Sequence, residues 1–366
     1  MNNFIPISQP SITKKEIDYV TDAVKSGWVS SLGKYIDLFE NKFAAYCGTK
    51  YALTTSNATA ALHLSLVSLG IKSGDEVLIP DLTFVATANA VKYTCAKPIM
   101  VDIDKDTLCI NKEDIKKSIT SKTKVIIPVH LYGHPADMDE INSIAEEYGL
   151  YVVEDAAEAH GAEYKGKKVG SLGTCGIFSF YGNKIITSGE GGMITTDNEV
   201  LYQKMRYLRD HAMDKKKRYW HTEIGFNYRM TNIQAALGLA QLERINELID
   251  KKNEIFEWYR NGLKNLTGIK LNYQAKWAKN AYWMICIEKD NYTESQRDEF
   301  IKKLKEKNVD SRPYFYPISD MPMYKNNNIF TPITHKIYKR GLNLPSYFDI
   351  TEKQVNYICK VVRELL

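Results

Sequence analysis

Between residues 76 and 161, short apolar runs alternate with stretches whose apolar positions recur every three or four residues. The runs EVLIP (76–80), KPIMVDID (97–104), KVIIPVHLYG (124–133) and LYVVEDAAEAHG (150–161) lack the alternation of a strand that is wet on one side. Each therefore predicts a strand buried on both faces. The text between them reads as helix over 84–93, over NKEDIKKSI and over DMDEINSIAEEYG. Such a succession predicts an α/β chain with a large, doubly wound, mostly parallel sheet covered by helices on both sides. CGIFSFY and GGMITTD then add two strand-like pieces with a tight bend between them.

The pattern changes at NYRMTNIQAALGLAQLERINELIDKKNEIFEWYRNGL, one long helical stretch with Gly238 inside it. Past residue 265 the elements become mixed: YWMICIEKD predicts a strand, ESQRDEFIKKLKEKN a helix and KQVNYICKVVRELL a final helix. The expected organisation is a large domain over 1–250 and a smaller C-terminal α+β domain over 251–366. A length of 366 residues supports two cores rather than one.

Composition narrows the function classes. Hydrophobic content of 44% and charged content of 25% are those of a globular chain. Lys+Arg 49 against Asp+Glu 44 leaves +5, too little for a nucleic-acid binder yet compatible with small anionic substrates. The six cysteines form no C-x-x-C pair and no metal-ligand spacing, so reduced thiols and no metal site are expected. MNNFIPISQPSITKKE has no apolar leader core, and no run reaches membrane length, so a soluble, cytoplasmic protein is expected.

Three stretches carry candidate chemistry. In TTSNATAALHLSLVSLG (54–70), Ser56 and Asn57 are good N-caps for a helix whose apolar face is Ala61, Leu62, Leu64 and Leu66. Its opening N–H groups, with the Thr59 hydroxyl nearby, make a phosphate seat, although an ordinary capped helix has the same pattern. In VVEDAAEAHGA, Asp155 falls at the carboxyl end of a strand, where open α/β sheets bind ligands. An acid there can hold a protonated ring nitrogen; Asp102 is a rival, and either one also reads as a capping or loop carboxylate. His160 reads as a satisfied polar group rather than a catalyst. In FSFYGNKIITSGEGG (178–192), Lys184 sits between a strand and a glycine-rich bend, with Ser179 five residues upstream. A buried lysine there can form an imine with an aldehyde, whereas a lysine at a strand end more commonly snorkels to solvent. The three stretches occur in the order phosphate seat, acid, lysine on one doubly wound domain.

Those stretches, with GWVSSLGKYIDLFENKFAAYCG, TFVATANAV, GFNYRMTNIQAALGLAQLE and GLNLPSYFDI, resemble the sugar-nucleotide aminotransferases of the aspartate-aminotransferase fold (fold type I) over nearly the whole chain. The resemblance implies pyridoxal 5'-phosphate as cofactor, with Lys184 as its imine partner and proton shuttle and Asp155 on the ring nitrogen. It further implies Phe84 stacked on the ring, Glu158 near the ring hydroxyl, and Ala58, Thr59 and Ser179 at the phosphate. Asn227 of the NYR motif would reach the phosphate from a neighbouring subunit, making a homodimer with shared sites. The implied reactants are L-glutamate and a keto-sugar nucleotide. RPYFYPISDMPMY (312–324), FYGNK and RYWHTEIGFNYRMTN look most like the members that aminate carbon 4 of GDP-4-keto-6-deoxy-mannose for surface polysaccharides. A dTDP- or UDP-linked keto sugar is the alternative, and a non-catalytic sensor on the same fold a third reading. Arg229, Tyr316, His211 and Trp220 are substrate-side candidates. The basic loop AMDKKKRYWH reads equally as a pyrophosphate contact and as a solvated loop.

Overall fold

The computed structural model describes residues 4–214, 216–325 and 329–366, so Lys215 of the basic loop lies outside the described residues. Its main sheet has seven strands in the spatial order Tyr51–Thr55, Gly192–Thr196, Cys175–Ser179, Tyr151–Asp155, Thr123–Ile126, Glu76–Pro80 and Lys97–Val101. The last five run parallel, and Gly192–Thr196 is antiparallel to both of its neighbours. The structure is therefore α/β with a mostly parallel main sheet, as the uninterrupted apolar runs predict. All five parallel strands point their carboxyl ends to one edge, which places Asp155 and Ser179 at the ends of adjacent strands, Ser179 two residues beyond the partner of Asp155.

Several elements are shorter than their sequence patterns. In KVIIPVHLYG regular pairing stops at Ile126; Pro128 lacks an N–H to donate, and a single 3-10 turn follows at Leu131–Gly133. The long helical stretch divides into Asn232–Leu242 and Ile245–Leu263. The break is tertiary in origin. Glu243 collects Lys15, Lys42 and Tyr19, while Arg244 turns inward to Glu16. Gly238 is required by packing, since a Cβ there would lie 2.7 Å from the Phe39 ring. Helix Ala58–Ser68 also differs from expectation. Ala60, His63 and Ser65 are buried with the apolar face, because the helix is wedged between the sheet and two other helices.

A second sheet of four strands is ordered Ile269–Leu271, Ile285–Lys289, Gly341–Leu344 and Arg312–Pro313, antiparallel throughout. Helices Glu294–Glu306 and Glu352–Leu365 accompany it. Helix Ile245–Leu263 spans both units. Its Ile245, Leu248 and Ile249 pack in the core under the main sheet, whereas Ile255, Phe256, Tyr259 and Leu263 pack in the second core. Ile5, from the start of the chain, joins that second core and bridges Val309. Among the described residues no helix is long and apolar enough to cross a membrane, and no group of His, Cys, Asp or Glu could hold a metal ion.

Glu16 ties the first helix to the helix break. It closes a capping box with Thr13 and accepts from Gln241 and Arg244, both at 2.8 Å. Burial alone would raise its pKa, but the bonds from Thr13 and Arg244 outweigh it and bring the group to about 2, against an ordinary 4.5. The stabilisation is complete above pH 4.5 and is lost as pH falls through about 2. Glu16→Gln should lower unfolding stability by about 2 kcal/mol at neutral pH. Denaturant unfolding followed across pH should show that deficit shrinking on acidification.

Candidate active site

The parallel strand ends open into a cavity of about 620 Å³. At one end of it helix Ala58–Ser68 begins. The Asn57 side chain accepts from the Ala60 amide at 2.8 Å, which caps the helix, and the Ala58 and Thr59 amides come ahead of any helical carbonyl that could receive them. Gly192 lets the returning strand pass behind this turn, since a Cβ there would lie 2.6 Å from the Asn57 carbonyl. Ser179 ends the adjacent strand and also lines the cavity. Helix amides and two hydroxyls so gathered form an anion seat.

Across the cavity, Asp155 closes strand Tyr151–Asp155 and is buried. Its carboxylate accepts from Thr87 Oγ1 at 2.8 Å and from the Ala157 amide at 3.2 Å. It makes no ion pair among the described residues, and burial pushes its pKa upward against those two bonds. Such a carboxylate is poised for a cation brought by a ligand.

Lys184 follows the strand Cys175–Ser179, its amide donating to the Tyr181 carbonyl at 2.9 Å. Gly189 and Gly191, both at positive φ, then turn the chain back into the antiparallel strand. The Lys184 side chain is only 10% exposed, and Nζ lies 3.5 Å from Glu158 Oε1. Burial lowers the amine's pKa, opposed by Glu158 and Asp155. Burial raises the Glu158 pKa in turn, opposed by Lys184 and by the Tyr132 amide, which donates to Oε2 at 3.0 Å. Each shift favours the neutral form of its group.

Lys184, Asp155, Glu158, Ala58, Thr59, Phe84 and Ser179 all line this one cavity, with Phe84 exposed at its mouth. The other candidates do not. Asn227 is exposed and accepts from Arg229 Nε at 3.2 Å. Arg229 is held by Asp210 beside a second cavity of about 580 Å³. His211, just before the basic loop, and Trp220 within it are exposed, and Lys217 lies 3.9 Å over the Trp220 ring. Tyr316 packs beside Arg297. Asp102 is the helix cap: it accepts from the Ile333 and Thr334 amides and the Thr334 hydroxyl, each at 2.8 Å. His160 is buried against Phe178 and Phe180, and neither ring nitrogen has a hydrogen-bond partner among the described residues, so it is not the satisfied polar group the sequence suggested. Burial, then the Lys184 charge, pushes its pKa down to about 3, and it packs as a neutral ring.

Sequence reasoning missed three residues here. Thr87 holds Asp155, and nothing in TFVATANAV points to that bond. Tyr132 sits at φ 53, unusual for a tyrosine, and stacks between Trp283 and Phe315. Trp283, from the second unit, places its ring 3.7 Å from Lys184 Nζ. A contact between positions so far apart leaves no local signal.

The model of the DegT/DnrJ/EryC1/StrS aminotransferase family matches residues 10–363. The GDP-perosamine synthase of Escherichia coli O157:H7 is 46% identical over 361 residues, covering 99% of this chain and 98% of that one. The GDP-perosamine synthases of Caulobacter vibrioides and Vibrio cholerae are 44% and 41% identical, the first over 99% and 98% of the two chains and the second over 98% of each. Among solved structures, 3-amino-5-hydroxybenzoic acid synthase matches with a TM-score of 0.93 at 28% identity, over 99% of this chain and 98% of that one. A Streptococcus pneumoniae protein assigned as a sugar aminotransferase, in its PLP form, matches at 0.94 and 28%, over 99% and 100%. Sequence, fold and cavity agree, and the chain belongs to the DegT/DnrJ/EryC1/StrS family of aminotransferases.

Proposed function

We propose that the chain is a pyridoxal 5'-phosphate-dependent aminotransferase that moves the amino group of L-glutamate to carbon 4 of GDP-4-keto-6-deoxy-D-mannose. The product is GDP-perosamine, for surface polysaccharide biosynthesis in the cytoplasm. The observation that carries this reading is a buried amine, Lys184, facing the cavity of a chain 41–46% identical over nearly its whole length to three GDP-perosamine synthases.

The residues present suit the cofactor. The Ala58 and Thr59 amides with the Thr59 and Ser179 hydroxyls suit its phosphate, Asp155 its protonated ring nitrogen, Phe84 its ring face and Glu158 the side of its ring hydroxyl. Bound there, the group would supply an electron sink for the carbon that loses its proton. Lys184 Nζ would take that proton in its neutral form, which burial favours, and would hold it for return. Glu158, 3.5 Å off, steadies the amine while it is charged. In the second half of the exchange the same nitrogen delivers a proton to the sugar carbon. Asn227 stands exposed outside the single-chain cavity, as a residue serving a neighbouring subunit would, and supports a homodimer with shared sites. Arg229, Tyr316, His211 and Trp220 stay proposed on the substrate side.

Incubation with L-glutamate and a panel of GDP-, dTDP- and UDP-linked keto sugars tests the reading. Equal amounts of 2-oxoglutarate and a GDP-linked 4-amino sugar are expected by mass spectrometry. Faster turnover of a dTDP- or UDP-linked sugar would overturn the substrate assignment.

A further inference from the structure

Lys252 lies on helix Ile245–Leu263, away from the cavity lining, and its ammonium meets no carboxylate among the described residues. Its three donors instead reach the Trp283 carbonyl at 3.0 Å, the Ser346 hydroxyl at 3.1 Å and the Ser346 carbonyl. Ser346 Oγ also donates to the Trp283 carbonyl, at 3.2 Å. Trp283 precedes strand Ile285–Lys289 and Ser346 follows its neighbour Gly341–Leu344, so Lys252 fastens two adjoining strand ends to the helix shared by both cores. Three acceptors match the three N–H donors that only an ammonium supplies. Burial of that charge pushes its pKa down to about 7, so holding it there is costly.

The fastened tryptophan reaches the catalytic turn. Its indole Nε1 donates to the Asn183 carbonyl at 2.9 Å, and its ring covers Lys184 Nζ at 3.7 Å. It also stacks on Tyr132, whose amide holds Glu158. One indole therefore touches the backbone next to Lys184, the amine itself and the residue that orients the amine's carboxylate.

We infer that Lys252 is a positioning residue for transamination: by clamping the Trp283 carbonyl it holds the indole against the Asn183–Lys184 turn, and so fixes where the amine points. The inference rests on the function proposed above only for the role of Lys184, and its test reads the turn without cofactor or substrate. Lys252→Met keeps the length of the stem and removes all three donors; Lys251→Met, in which the lysine paired with Glu254 is lost, is the control. Amide hydrogen exchange on the apo protein, read by mass spectrometry over residues 181–186, should quicken about tenfold or more in Lys252→Met and stay unchanged in Lys251→Met. In the loaded enzyme kcat should fall about ten- to a hundredfold with KM for glutamate unchanged, the pattern of a misplaced group rather than a lost binding contact. If Lys252→Met does not fold, Lys252→Gln, which keeps two donors on a shorter arm, goes through the same measurements. Exchange over 181–186 within twofold of the wild type overturns the inference, whatever turnover does. That failure would leave the proposed function standing. A Lys184 variant that still transaminates would sink the function without touching the exchange result.

Discussion

Lys184→Ala is expected to lose turnover in both halves of the exchange, by about 10⁴-fold or more. No second lysine lines the cavity among the described residues, so no neighbouring amine can take over. Glu158 is within 3.5 Å of the missing nitrogen, but its Oε2 is engaged by the Tyr132 amide and its reach is set by that bond. The helix start at Ala58 and the carboxylate of Asp155 remain, so the variant should still take up the cofactor by non-covalent contacts. The check is chemical as well as kinetic. Borohydride treatment of the loaded wild type should fix the cofactor on the peptide containing Lys184, and the variant should carry no such tag. A tag on another peptide, or wild-type turnover in the variant, would remove the basis of the proposed function.

Asp155→Asn should lower kcat by about 10²–10³-fold, a loss comparable to that of a preorganised electrostatic partner. The substitution is nearly isosteric, and an amide oxygen can still accept from Thr87 Oγ1, so packing survives although the bond from the Ala157 amide is lost. What disappears is the negative charge. In the wild type that charge is kept in a buried position whose desolvation already raises its pKa, with no side-chain cation paired to it among the described residues. An amide there leaves a ring nitrogen without reason to hold its proton, and electron withdrawal from the reacting carbon weakens. Because Asp155 is assigned to the ring nitrogen and to no group of the amino acid, KM for glutamate should change little. Steady-state rates of both variants, with cofactor content measured in parallel, separate lost chemistry from lost binding. An Asp155→Asn enzyme within tenfold of the wild type would reassign the carboxylate to a structural role.

Much of the architecture was legible because burial on both faces leaves a one-dimensional trace. A central parallel strand can only be written as an unbroken apolar run, so EVLIP and VVED announced themselves. The end of such a run marks a strand's carboxyl edge, which is why Asp155 and Asp102 both stood out. Choosing between them needed three dimensions: Asp102 is spent on capping Pro332–Ile337, whereas Asp155 faces the cavity. The sequence of the long helix predicts one piece because Glu243 and Arg244 are good helix residues; their partners at Lys15, Lys42 and Glu16 interrupt it from afar.

By itself the sequence determined a mostly parallel α/β sheet, the order of a helix start, an acid and a lysine along it, and a family resemblance spanning nearly the whole chain. Those features are local, since strand burial, helix capping and turn chemistry each act within about ten residues along the chain. Only the tertiary structure decided which neighbours surround the amine. Thr87 behind Asp155, the Tyr132 amide on Glu158, and the Trp283 indole clamped over Lys184 by Lys252 are contacts between segments far apart in the chain. Their physical cause is packing. A close-packed interior brings the second core's strand ends against the catalytic turn, and no pattern along the chain has to record which side chains meet there.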